Sequence, residues 1–188
     1  MAAGSSKHPT VQIETSSEYE LHIATSNNTA LSSPVAVGDK ARTFLKVAKD
    51  ISENSTCARR DVGCILVNER RHILATGYNG VPSDFKHCKD HPCPGANLPS
   101  GQGLDKCEAI HAEQNALLQC EDVWEIHTAY CTDSPCIHCV KLLLNTSCRH
   151  IVFLRKYPHE DAFKLWFRKR LTKDGHPRAW IHYLPKSA

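Results

Sequence analysis

No stretch of this 188-residue chain approaches the roughly 20 apolar residues that a membrane-spanning helix needs. The opening Met1-Ala-Ala-Gly-Ser-Ser lacks the apolar segment of a secretory leader, so neither a membrane protein nor an exported one is expected. Charge of one sign is also missing. The 23 Lys and Arg against 20 Asp and Glu leave +3, too little to argue for nucleic acid as a partner. Aromatics make up 7% of the residues, and Arg168-Lys169-Arg170 with Lys173 reads as one solvated helix face. No internal repeat is visible. With 41% hydrophobic and 23% charged residues, the composition is that of one globular domain able to bury a core without disulfides. Cysteine alone is in excess, at ten. In a cytoplasmic chain, as this one is expected to be, the thiols stay reduced and a set this dense points to metal. Cys64, Cys120, Cys131 and Cys148 stand in apolar surroundings and read as small core residues.

Residues 1–37 are rich in Ser, Thr and Asn without a sustained apolar period, and are expected to form a disordered or loosely attached tail before a domain at 38–188. A helix is expected from Gly38-Asp39, with Ala41, Phe44, Leu45, Ala48 and Ile51 on one face and Asp39 as its cap. Val62–Val67 and Ile73–Tyr78 read as two strands of a hairpin turned by Asn68–Arg71. A Gly/Pro/Cys-rich loop spans Asn79 to Lys106. Then come a helix from about Cys107 to Gln119, a strand at Thr128–Thr132, a helix at Cys136–Asn145 and a strand at Ile151–Leu154. A helix carrying Phe163, Trp166, Phe167 and Arg170 follows, and a strand at Trp180–Leu184 ends the series. This order predicts an α/β fold of three α-β-α layers around a mixed five-stranded sheet, its last three strands parallel through helical crossovers.

The chemistry concentrates in His111-Ala-Glu113 and Pro135-Cys136-Ile-His-Cys139. His111, Cys136 and Cys139 can hold a zinc ion, while Glu113 is an acidic neighbour that need not bind it. Two residues apart, His111 and Glu113 reach one pocket at a helix start, and Cys136 and Cys139 share a side of theirs. A helix N-terminus favours thiolate, and three ligands leave a catalytic zinc one open position for water. The competing reading is a structural zinc knuckle; the Glu beside the ligands favours catalysis. His138, between the two thiols, is expected to point elsewhere. The H-x-E…P-C-x-x-C arrangement is the known signature of zinc-dependent nucleobase deaminases.

From about residue 39 to 185 the chain resembles the deoxycytidylate (dCMP) deaminase family, within the cytidine-deaminase-like fold. The resemblance rests on Cys57-Ala-Arg-Arg-Asp-Val-Gly63, Thr76-Gly-Tyr-Asn-Gly80, His111-Ala-Glu-Gln-Asn-Ala116 and Ser134-Pro-Cys-Ile-His-Cys139. It implies hydrolysis of dCMP to dUMP and ammonia, with Glu113 moving the proton, and substrate contacts from Asn79 at the sugar and from Tyr157. Asn115 is expected to pack rather than to act. Some relatives carry an accessory zinc on similarly placed residues. That implies a second, structural zinc on Cys57, Cys88, Cys93 and Cys107, with His87 or His91 as competing ligands. Homo-oligomers, commonly hexamers, regulated by dCTP and by dTTP with Mg²⁺ are further implications. Arg59, Arg60 and Lys86 are open as phosphate contacts.

Other readings use the same residues. A deaminase of bases in RNA or DNA would flip its target into the pocket and want a basic groove with stacking aromatics. A 5-modified dCMP would need a different pocket shape, and a non-catalytic zinc-binding regulatory subunit would not need Glu113.

Overall fold

A computed structural model of the chain describes residues 10–14, 19–25, 34–99, 102–158, 160–168 and 171–185. Seven strands form one sheet: β1 (Thr10–Glu14), β2 (Tyr19–Thr25), β3 (Gly63–Val67), β4 (Ile73–Tyr78), β5 (Thr128–Asp133), β6 (His150–Arg155) and β7 (Ala179–Pro185). The helices are α1 (Pro34–Ser52), α2 (Ala112–Leu118), α3 (Ile137–Leu144) and α4 (Glu160–Trp166), with a short 3₁₀ turn at Leu104–Lys106. Strand order is β1-β2-β7-β6-β5-β3-β4. β5, β6 and β7 run parallel, and β3 is antiparallel to both β4 and β5.

Strands β3 to β7 are the mixed five-stranded sheet expected from the sequence, with its last three strands parallel. Period-two alternation sends their side chains into two cores. Cys64, Leu66, Cys131, Ile151 and Phe153 pack under α2, α3 and α4, while Ile65, Val67, Tyr130 and Val152 pack under α1. Ala41, Phe44, Leu45 and Ala48, at helical spacing, are the buried face of α1. The β3–β4 turn is closed by Asn68, whose Oδ1 accepts the His72 N–H at 2.9 Å, and Arg71 takes φ 68° there.

Three boundaries differ from expectation. The segment read as a tail contributes β1 and β2, which pair antiparallel with each other and with β7; its remaining residues before Pro34 lie outside the described ones. An uncovered β7 edge would leave a row of unpaired backbone groups, and the hairpin satisfies them. α1 starts at Pro34, so the boundary expected at residue 38 falls inside that helix. α2 starts at Ala112 rather than near Cys107, because 107–111 runs extended and Ile110 forms a two-way backbone bridge with Gly80 (3.1 and 2.8 Å). Arg170, expected in the last helix, lies outside the described residues.

Candidate active site

Two helix starts meet at the carboxyl end of β5, where open α/β sheets place their sites. His111 is the N-cap of α2 and Cys136 the N-cap of α3, each with extended backbone angles; Cys139 sits in the first turn of α3. The Gln114 side chain accepts the His111 N–H at 2.9 Å, and Asn115 Nδ2 donates to the Tyr78 carbonyl at 2.8 Å, tying α2 to the end of β4. Gly77 permits that contact: a Cβ there would run into the Ala112 carbonyl and the Ala116 nitrogen.

The ligand atoms of His111, Cys136 and Cys139 all lie within 4.8 Å of one another, the one such group among the described residues. His111 Nδ1 is 3.4 Å from each sulfur, and the sulfurs are 3.7 Å apart. Zinc–sulfur bonds of about 2.3 Å and zinc–nitrogen bonds of about 2.0 Å at tetrahedral angles give edges of about 3.8 and 3.5 Å. The three atoms therefore have the spacing of one face of a zinc tetrahedron.

The protonation pattern of the bare side chains follows from this crowding. The hydrogen bond between the Cys136 and Cys139 sulfurs and, after it, His111 hold the Cys136 thiol down at about 3. Cys139 is pushed up by that same thiolate and by burial. The Cys136 thiolate raises His111, against the effect of burial. Glu113, 3% exposed and close enough to Cys139 to share a hydrogen bond, is raised by burial and pulled back by His111.

His111, Cys136 and Glu113 line a cavity of about 390 Å³, in the size range of small-molecule sites. Asn79, Tyr157, Arg59 and Arg60 line it too. The Asn79 amide clasps the chain before β3: its Oδ1 accepts from Val62 N–H at 2.8 Å and its Nδ2 donates to the Arg60 carbonyl at 2.7 Å. Tyr157 is held by its N–H to Ser134 Oγ, 2.7 Å. Lys86 and His138 are exposed, and neither is among the residues lining the cavity. Sequence reasoning missed Asp133, a buried carboxylate in the cavity wall, and its partner Arg155. Neither falls in a motif of its own, although Asp133 directly precedes Ser134-Pro135-Cys136.

The four thiols expected at a second zinc are drawn together less completely. Cys88 and Cys93 are 3.4 Å apart, and Cys107 is close enough to Cys57 and Cys93 for their charge to raise it, beyond the larger effect of burial. Gly95 lets the loop approach, since a Cβ there would stand 2.7 Å from the Cys107 nitrogen. Backbone N–H groups of Arg59 and Cys93 point at the sulfurs of Cys57 and Cys88, 3.4 Å each. His87 and His91 are exposed, as are Asp90 and Lys89 beside them. Cys64, Cys131 and Cys148 are fully buried; Cys120 is half-buried. No helix among the described residues is long and apolar enough to cross a membrane.

The family model described as the cytidine and deoxycytidylate deaminase zinc-binding region matches residues 39–155. Deoxycytidylate deaminase of Saccharomyces cerevisiae is 36% identical over 125 residues, covering 65% of this chain and 40% of its own length. That of Mycobacterium phage D29 is 36% identical over 126 residues, covering 63% of this chain and 93% of its own. The chain spans 36% of the Schizosaccharomyces pombe deoxycytidylate deaminase it also matches, so it covers well under half of either yeast relative. Among solved structures, the dCMP deaminase of cyanophage S-TIM5 in complex with dCMP and dUMP is 27% identical with a TM-score of 0.54, over 72% of this chain and 93% of its own.

Proposed function

We propose that this chain, which belongs to the cytidine and deoxycytidylate deaminase family, hydrolyses dCMP to dUMP and ammonia at His111, Cys136, Cys139 and Glu113. The observation that carries the reading is the cluster of three ligand atoms with zinc-site spacing, two of whose residues line one cavity with the buried carboxylate of Glu113. His111, Cys136 and Cys139 would hold a zinc ion, which would supply Lewis acidity for activating water near neutral pH. Glu113 takes one proton of the attacking water on its carboxylate and gives it to the ring nitrogen of the pyrimidine; it then carries the proton of the newly attached hydroxyl to the amine, whose C–N bond breaks to leave a carbonyl and ammonia. Its burial keeps bulk water from competing for that proton. The cavity walls exclude solvent while the base is held. Asn79, whose amide keeps one acceptor and one donor position beyond its backbone clasp, is proposed to meet the sugar, and Tyr157 to flank the substrate.

A second, structural zinc on Cys57, Cys88, Cys93 and Cys107 is supported by the Cys88–Cys93 approach and by the N–H groups aimed at two of the sulfurs. The family resemblance supports homo-oligomeric assembly, regulation by dCTP and by dTTP with Mg²⁺, and a cytoplasmic setting. The deaminase unit is proposed to run from α1 onward, with β1 and β2 an appendage to its sheet edge.

The test offers purified protein dCMP, deoxycytidine, CMP and a cytosine-containing oligonucleotide, and measures ammonia. dCMP should be turned over best. Glu113→Ala should keep its zinc and lose turnover by roughly 10²- to 10⁴-fold. Turnover of the oligonucleotide alone would move the assignment to nucleic acid, and full-speed turnover by Glu113→Ala would remove the proton-shuttle role.

A further inference from the structure

One wall of the cavity comes from outside the sheet. Ala96, Asn97, Leu98 and Pro99, in the irregular segment between Cys93 and Cys107, line it together with His111 and Glu113. The segment has no helix or strand of its own, yet it is tied down along its length. Two successive turns fold it, the Ala96 N–H donating to the Cys93 carbonyl at 2.9 Å and the Leu98 N–H to the Gly95 carbonyl at 3.2 Å. At one end Gly95 lies against the Cys107 backbone. At the other, Arg59 Nη2 donates to the Pro99 and Gln102 carbonyls at 2.6 and 3.1 Å. Between these anchors Leu98 stands half-buried on Gly103, where a Cβ would run into Leu98 Cδ1. Gly103 takes φ 54°, in the left-handed region that favours glycine.

A cytosine ring has a polar edge, N3 with the 4-amino group and O2, and an apolar edge, C5 and C6, without a donor or an acceptor. Hydrolysis puts C4 at the activated water and N3 at Glu113, so C5, on the other side of C4, faces away from that carboxylate. Such an edge can be held only by apolar contact, where one methylene more or less changes discrimination by roughly 10- to 200-fold. The polar residues Asn79, Asp133 and Ser134 line the cavity from the ends of β4 and β5. Its bulkiest aliphatic lining residue is Leu98, on the tied segment.

We propose that Leu98, seated on Gly103, meets the 5-position of the pyrimidine and sets how large a substituent is admitted there. It is a specificity-determining residue, and Gly103 positions it. The proposal rests on the deaminase reading above and adds to it the discrimination between unmodified and 5-substituted pyrimidine nucleotides.

The experiment measures kcat/KM for dCMP, 5-methyl-dCMP and 5-iodo-dCMP in the wild type, Leu98→Ala and Gly103→Ala. Shortening Leu98 should raise the ratio of 5-iodo-dCMP to dCMP by roughly 10- to 100-fold, and the 5-methyl ratio by less. Gly103→Ala, which drives Leu98 off its seat toward the cavity it lines, should lower both ratios. Zinc content and denaturant unfolding establish that each variant is folded; if Leu98→Ala is not, Leu98→Val replaces it, with a smaller rise expected. An unchanged or lowered 5-iodo ratio in the shortened variant overturns the proposal. So does an equal loss on all three substrates, the behaviour of a merely structural loop residue, or a rise in either ratio for Gly103→Ala. If the wild type deaminates none of the three, the reaction assignment fails, and calorimetry with dUMP and 5-iodo-dUMP judges the wall separately. Tightening of 5-iodo-dUMP relative to dUMP in Leu98→Ala upholds it; an unchanged ratio, or binding of neither, ends it.

Discussion

The catalytic trio and the four loop cysteines are both candidate metal sites, but the fold prepares them differently. His111, Cys136 and Cys139 stand at helix starts packed on the central sheet, and their ligand atoms already have the spacing of one face of a zinc tetrahedron. Cys57, Cys88, Cys93 and Cys107 stand on connecting segments, where the sulfurs of Cys88 and Cys93 approach to 3.4 Å. Helix caps and strand ends place side chains whether or not an ion is present. Loop thiols depend far more on the ion itself, so metal binding there is coupled to ordering of the chain. The first candidate site is built by the fold; the second, as proposed, would help to build it.

The largest effect separating the two is expected from Cys139→Ser. Turnover should fall to background and one zinc per chain should be lost, while the loop keeps its own metal. Cys93→Ser should act in the opposite sense. Zinc per chain, close to two in the intact protein by elemental analysis, should drop by one, the segment between 84 and 107 should exchange its amides faster, and turnover should survive in reduced measure. A value near one in the intact protein would end the idea of a second zinc. Loss of amide protection in α2 and α3 together with the loop, on removal of the Cys93-site metal, would break the contrast between fold-built and metal-built sites.

A third variant probes the scaffold without touching a ligand. Gly77→Ala puts a Cβ against the backbone of α2, and neither the Ala112 carbonyl nor the Ala116 nitrogen can swing away as a side-chain end could. Denaturant unfolding should show a loss of about 1–3 kcal/mol, as for overpacking elsewhere. Because α2 carries His111 and Glu113, KM and kcat should both worsen, whereas metal at the loop cysteines should stay. An unchanged stability would mean that α2 is free to move off β4 and is not the rigid support assigned to it.

How legible this was depended on distance along the chain. The trio stands in two short motifs, and Ile65, Leu66, Ala41 and Leu45 announce their elements by local period, so strands β3 to β7 and the clustering of the candidate metal ligands were readable. β1 and β2 were not. Tyr19-Glu-Leu-His-Ile-Ala-Thr25 alternates over too few residues among Ser, Thr and Asn, and its reason to be a strand is the open edge of β7, more than 150 residues away. The start of α2 was misplaced for a similar reason: the bridge between Gly80 and Ile110 holds 107–111 extended, and no local pattern reports a partner 30 residues back. Asp133 and Arg155 are 22 residues apart and meet only because β5 and β6 are parallel in that register. A charged pair made by register is invisible until the register is known.

A last effect concerns the far end of the same strands, and it separates loss of metal from loss of fold. His127 and His150 stand edge to face with centroids 4.6 Å apart at the amino ends of β5 and β6, near Arg149 and, for His127, Glu69 and His176. Burial first, then His127 and Arg149, pushes His150 from 6.5 down to about 3, and burial with Arg149 lowers His127 as well. The folded state therefore keeps these rings neutral where the unfolded chain would protonate them. Unfolded protein binds the extra protons between pH 6.5 and the folded values, so stability is full above about 6.5 and declines as the pH falls through that window, by at most about 1.4 kcal/mol per ring and pH unit. Urea unfolding at pH 7 and pH 5 should show this slope, and His150→Gln should flatten it. Zinc lost from the trio at a pH where the His150→Gln protein is still folded is then loss from the ligands alone; if wild type and variant lose stability equally between the two pH values, the histidine pair is not the source.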